Sequence, residues 1–371
     1  MQLKQRLLWI SLVQILIIQS AFNQNPAQWR GEYRNGSYDE GELLKKWPEK
    51  GPKLNWAAEG VGSGWGSPSV ANNIVYLIGK IGNTDYCSAL NINGSMLWQV
   101  PIGDSWDTSY ADARTTPTIV EDKVYVISGK GQVACLDANT GKTIWTVDGY
   151  SKFEGYCTMW GVCESPLIID DKLIYTPGGN KTTMVALDKN TGETRWMSKS
   201  LRDSTAYVSP MVVEYGGKNI IASISANYFF GVDAKDGNIL WKYDYYDLKW
   251  DQTHFYSPII NCNTPLYSDG EFFISKGYDH LAARFKMNKV GTNISLIRTD
   301  STLDVHHGGM VLFDGYIYGS NWINNRDGNW CCVDWDTGEK MYETHWESKG
   351  SVILADSMLY CYEEKRGNLA L

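Results

Sequence analysis

Residues 134 to 145 read Ala134-Cys135-Leu136-Asp137-Ala138-Asn139-Thr140-Gly141-Lys142-Thr143-Ile144-Trp145. The short apolar run fits a strand, and Asp137 can bond its own backbone two residues on as an Asx turn. Gly141 supplies the positive φ that a tight hairpin requires, and Thr143, Ile144 and Trp145 favour a second strand. The unit is thus a strand, a turn and a strand, with Trp four residues after Gly. The same offset recurs at Gly94/Trp98, Gly192/Trp196 and Gly237/Trp241, with steps of 47, 51 and 45 residues. It returns at Gly338/Tyr342, and Gly291 keeps the period in between with Ser295 in the aromatic's place.

A second marker keeps the same period: Ser67-Pro68, Thr116-Pro117, Ser165-Pro166, Ser209-Pro210 and Ser257-Pro258, followed by Gly308-Gly309 and Gly350-Ser351. Between a marker and its Trp lie four apolar runs separated by polar or Gly turns, so each unit contains four short strands, A to D. Four strands per ~45 residues is the blade of a β-propeller. Helical solenoids are excluded because these runs lack a 3.6-residue apolar period. Composition agrees: 16 Trp, 23 Tyr and 36 Gly beside 11 Pro and 20% charged residues suit short strands and Gly turns. The Trp residues on strand D are expected to pack between adjacent blades.

The stretch from Ala134 to Trp145, repeated at Val185-Ala186-Leu187-Asp188 with Thr191-Gly192 and Trp196, resembles the Trp-docking repeat of the quinoprotein-like (PQQ-like) β-propellers. The resemblance covers nearly everything after residue 51. It implies an all-β propeller, eight-bladed when complete, in a family many of whose members bind no quinone. At repeat level it extends to the B component of the outer-membrane β-barrel assembly machinery. Seven strand-A starts are counted, and Gly367-Asn368-Leu369-Ala370-Leu371 aligns with a strand C, so the last blade is expected to be incomplete. Pro52-Lys53-Leu54-Asn55-Trp56 reads as an orphan strand D completing an eighth blade, with one repeat plus a strand, about 50 to 60 residues, expected beyond Leu371.

Lys4 and Arg6 before the apolar residues 7–18 read as a secretory signal peptide over residues 1–21, followed by an extension over 22–50 and the repeats over 51–371. The apolar run is short of the ~20 residues that span a bilayer. A net charge of −8 without long basic runs excludes a general nucleic-acid binder. Eight Cys in 371 residues are too few for a disulfide scaffold. Cys157 and Cys163 are the expected pair. Cys331-Cys332 fall in register with an ordinary strand C, which would turn them to opposite faces. No Cys precedes Cys87, so no lipid-anchored cysteine is expected at a mature N-terminus.

The crossings before each strand A approach the central axis, and they place Trp65, Arg114, Trp160, Glu164, Tyr207, His254, Tyr256, His306 and His307 as candidate funnel residues. Aromatics alternating with a few polar groups suit a pocket for a sugar-like ligand or a peptide. Trp56, Trp98, Trp145, Trp196, Trp241 and Tyr342 are the structural set. Adjacent strand residues face opposite sides, so His306 and His307 are not expected to hold one metal ion, and no metal site, catalytic residue or resident cofactor is assigned. The resulting expectation is an exported, noncatalytic scaffold, periplasmic or extracellular, that binds an envelope protein or a glycan. The competing expectation is a quinone- and calcium-dependent dehydrogenase of alcohols or sugars, with His307 or Glu164 as base.

Overall fold

The computed structural model describes residues 26–157, 159–248 and 260–371. The leader read over residues 1–21 and the funnel candidates His254 and Tyr256 lie outside them. Among the described residues there are seven four-stranded sheets, six of them built from consecutive antiparallel strands. Blade two is representative: Thr118–Val120, Lys123–Ile127, Gln132–Asp137 and Thr143–Asp148. The chain is a β-propeller.

Each turn between strands C and D is built as its sequence dictates. Asp137 accepts the Thr140 hydroxyl and the backbone N–H groups of Thr140 and Asn139, which in that order hold its carboxyl below the ordinary value, and Gly141 sits at φ 71°. Asp188, Asp233 and Asp334 repeat the arrangement. Just before this turn the C–D register shifts by one residue, as between Cys135 and Leu136. That bulge brings each Trp opposite a small residue: Trp98 faces Ala89, Trp145 faces Cys135, Trp196 faces Ala186 and Trp241 faces Gly231.

Trp98, Trp145, Trp196 and Trp241 are all buried. The first three dock on the C–D turn of the next blade. Their rings lie against Gly141, Gly192 and Gly237, where a Cβ would sit within 3 Å of the indole, and their Nε1 groups donate to Ala138, Lys189 and Ala234 carbonyls at 3.0 to 3.1 Å. The turn Gly is therefore needed twice, for its φ and for the ring. Trp241 instead packs on Phe229 and Phe272. In blade five the aromatic's place after the register shift is taken by Arg298, opposite Arg284, and not by Ser295 as expected; Arg298 lies against Gly338 and donates to the Asp334 and Trp335 carbonyls. Tyr342 is 44% exposed.

Six clusters of buried apolar side chains join blades one to seven in sequence. Around the axis the Ser/Thr-Pro markers form a second set of links. The hydroxyls of Thr116, Ser165 and Ser209 accept the backbone N–H of Ser67, Thr116 and Ser165 in turn.

Three expectations need correction. The A strand of blade five is Leu266–Ser268, directly behind Thr264-Pro265 and not behind Ser257-Pro258; the Thr264 hydroxyl donates to the Ser209 carbonyl, continuing the ring of links. Pro52 to Trp56 forms no strand, although Trp56 does lie against Gly94 as the other Trp residues lie against their glycines. The fourth strand of the last sheet is Ser37–Tyr38, paired in parallel with Gly350–Ala355 on its axial side. A parallel inner strand was invisible to a repeat count because residues 37 and 38 carry none of the repeat's text.

Candidate functional site

Strand A runs from the D–A crossing to the A–B turn, so the crossings and the B–C turns share one face. Aromatic side chains from six blades gather there. Trp65 is 69% exposed and its backbone N–H donates to the Ala113 carbonyl at 2.7 Å. Arg114 is held by the carbonyls of Asp112 and Tyr110 in its own loop. Trp160 meets Tyr110 edge-on at 5.9 Å and lies tilted on Tyr207 at 5.3 Å. Tyr278 meets His306 at 4.5 Å and Trp322 at 5.4 Å. Tyr110, Tyr278 and Trp322 escaped the sequence reading; Tyr278 and Trp322 follow the B strands of blades five and six rather than a Pro marker, so an aromatic just after strand B was the available signal.

His306 and His307 are side by side, with ring centroids 4.2 Å apart. The expectation that they face opposite sides fails because the register slips between Val305 and Met310, and the strand there is not pleated regularly. His306 accepts or donates at Nε2 to the Tyr278 hydroxyl at 2.6 Å. Burial, then His307 and Lys349, depress its pKa to about 2, which keeps it neutral. His307 lies 3.4 Å from a Glu364 carboxylate oxygen, and burial lowers its pKa as well. Among the described residues no three His, Cys, Asp or Glu converge as a metal site.

Glu164 is buried rather than open to the funnel. Its carboxylate accepts the Thr176 backbone N–H and hydroxyl at 3.1 and 3.2 Å. Burial raises its pKa to about 8 against the opposing pull of Thr176 and Arg34. Arg34, from the N-terminal extension, occupies the axis beside it with its guanidinium on main-chain carbonyls of Ser165, Pro166 and Pro210. Glu164 does not fit a catalytic base facing the funnel, because its carboxyl is enclosed and bonded to Thr176 of its own blade. Cys331 and Cys332 lie in the regular strand Trp330–Asp334, Cys331 in the core between blades five and six. Cys163 is a free thiol, so the expected Cys157–Cys163 disulfide is not formed.

The site is thus an aromatic mouth edged by hydrogen-bonding groups. Among the described residues it offers large aromatic faces, with His307 half-exposed beside Glu364. The fold defines a quinoprotein-like propeller. The family model described as outer membrane protein assembly factor BamB matches residues 83–340, and the chain belongs to that family. BamB of Shewanella oneidensis is 24% identical over 182 residues, 48% of this chain and 40% of that protein. The quinoprotein ethanol dehydrogenase of Pseudomonas aeruginosa is 29% identical over 156 residues, 37% of this chain and 24% of that enzyme. The matched stretch therefore spans less than half of either relative. The crystal structure of BamB from Moraxella catarrhalis superposes with a TM-score of 0.54 at 16% identity, covering 80% of this chain and 88% of that one. That likeness is one of fold.

Proposed function

We propose that the chain is an exported, noncatalytic scaffold of the cell envelope that holds a protein partner during outer-membrane protein assembly. The observation that carries this reading is the assembly-factor family match over residues 83–340. The geometry supports it: the carboxyl proposed as a dehydrogenase base is enclosed, while the mouth exposes Trp65, Tyr110, Tyr156 and Met159. Large exposed apolar groups gathered on one face mark protein-binding surfaces, and aromatic anchors carry much of the energy at such contacts. A protein fits this surface better than a glycan, since the Arg114 guanidinium is held by the carbonyls of its own loop.

The test is reciprocal co-purification of the full chain with the β-barrel subunit of the assembly machinery from detergent-solubilised envelopes. Capture by the unaltered chain and loss in a Trp65→Ala/Tyr110→Ala double variant of unchanged thermal stability is the expected result. Failure of capture, together with stoichiometric binding of pyrroloquinoline quinone and calcium and turnover of an alcohol, would replace this reading with the dehydrogenase.

A further inference from the structure

The N-terminal extension follows a path that the registers define. Ala27 bridges Ile119 of blade two's A strand in antiparallel sense, whereas Ser37–Tyr38 pairs in parallel with blade seven's A strand. All A strands run toward the A–B turns. The extension therefore rises along the axis beside blade two, turns, and descends beside blade seven. It leaves on the A–B face, where the Leu43 backbone N–H donates to the Asp356 carboxylate at 2.9 Å and Lys45 pairs with the same group at 2.8 Å.

Two arginines sit at the top of this loop. Arg30 donates to the carbonyls of Met310 in blade six, at 2.6 Å, and Val352 in blade seven, at 3.2 Å. Arg34 donates to Ser165 at 2.9 Å and to Pro166 in blade three, and to Pro210 in front of blade four at 3.1 Å; its Nε donates to Gln28 at 2.9 Å. The axial edge of an innermost strand has no neighbour to take its carbonyls, and a guanidinium offers five donors in a fixed fork that can serve two such edges at once. The surroundings are shaped for these forks. A Cβ on Gly36 or Gly309 would come within 2.3 Å of an Arg30 guanidinium nitrogen, which gives a purpose to the Gly after the His pair. Arg30 and Arg34 both hold positive φ, 59° and 56°, a conformation disfavoured for a residue with a Cβ and kept where the surroundings over-determine it.

We propose that residues 26–38 are an axial clamp, in which Arg34 ties blade three to blade four and Arg30 ties blade six to blade seven from inside the ring. The apolar clusters join neighbouring blades at their faces, and the clamp joins them at the axis. Because both arms of the loop open on the A–B face, the clamp also closes the bottom of the aromatic mouth and makes it a blind cup.

Amide hydrogen exchange on the full chain tests this blade by blade. In Arg34→Ala, amides of Leu167–Ile169, Lys172–Tyr175 and Met211–Tyr215 are expected to exchange about tenfold faster, the effect of losing charge-assisted hydrogen bonds. In Arg30→Ala the acceleration moves to Val305–Phe313 and Gly350–Ala355. Arg34→Lys, which keeps the charge but not the fork, gives a smaller acceleration in the same blades as Arg34→Ala and serves if that variant does not fold. Lys45→Ala leaves the segments of blades three, four and six unchanged. Acceleration confined to residues 26–38, or spread equally over seven blades in both arginine variants, overturns the clamp.

Discussion

Glu164 and Arg34 make the interior responsive to pH. The Glu164 carboxyl is folded with a pKa of about 8, raised by burial from 4.5. Below about pH 4.5 the carboxyl is protonated in both folded and unfolded chains and contributes no slope. Between that point and about 8 the folded chain keeps a proton that the unfolded chain has lost, so unfolding releases it and stability falls as pH rises. Urea titrations of the unaltered chain and of Glu164→Gln, run from pH 5 to 8.5, should show a loss in the former that is smaller in the latter. Equal slopes would mean that the carboxyl does not titrate in this window. The tryptophans make a second residue-scale test. Trp145→Ala, at a buried docked ring, should cost about 3 to 5 kcal/mol, whereas Tyr342→Ala, 44% exposed at the same place in its blade, should stay within about 1 kcal/mol. Comparable losses would show that burial does not set the value of this position.

At the scale of the element, the C–D turn separates two demands on glycine. Gly217, in the A–B turn of blade four, has φ 74° with nothing within 4 Å of a would-be Cβ. Gly217→Ala should therefore cost only the left-handed conformation, about 1 to 2 kcal/mol. At Gly141 the φ is 71° and a Cβ would lie 2.7 Å from the Trp98 ring, so Gly141→Ala should lose a further ~1 to 3 kcal/mol by overpacking. Thermal unfolding of the two variants decides the matter, and matching losses would remove the ring contact from the explanation. This pairing also shows why the repeat was legible. Asp137, Gly141 and Trp145 each meet a local requirement that the sequence states directly. Where the requirement is met by other chemistry the text is lost, as at Arg298, whose guanidinium makes the carbonyl contacts that an indole makes elsewhere. Thr264-Pro265 was legible and overlooked, since Ser257-Pro258 satisfied the count first. The strand expected at Pro52 to Trp56 does not form, since docking on Gly94 needs the Trp56 ring but not a paired backbone. Residues 26–38 could not be read at all, because their partners are main-chain carbonyls from five blades, far away in sequence and without a side-chain signature.

Over the whole molecule, stability is distributed along a chain of interfaces rather than pooled in one core, and in such repeat arrays each unit depends on its neighbours. The interfaces are unequal. The cluster between blades four and five contains Phe229, Trp241, Phe272 and Phe285, with Phe229 meeting the other three rings at 4.9 to 5.5 Å. The cluster between blades six and seven has Val311, Trp330 and Val352 as its buried members. Blade seven also borrows its inner strand from residues 37 and 38. Local opening follows apolar contact, so regions with few buried contacts exchange first. Native-state hydrogen exchange should accordingly be fastest in Met358–Glu363 and slowest in Lys218–Ile224, Tyr228–Asp233 and Ala282–Met287. Val352→Ala should widen that difference by speeding blade seven while leaving the strands of blades four and five unchanged. Uniform protection across the seven blades, or acceleration of all of them in Val352→Ala, would show instead that the propeller opens as one cooperative body.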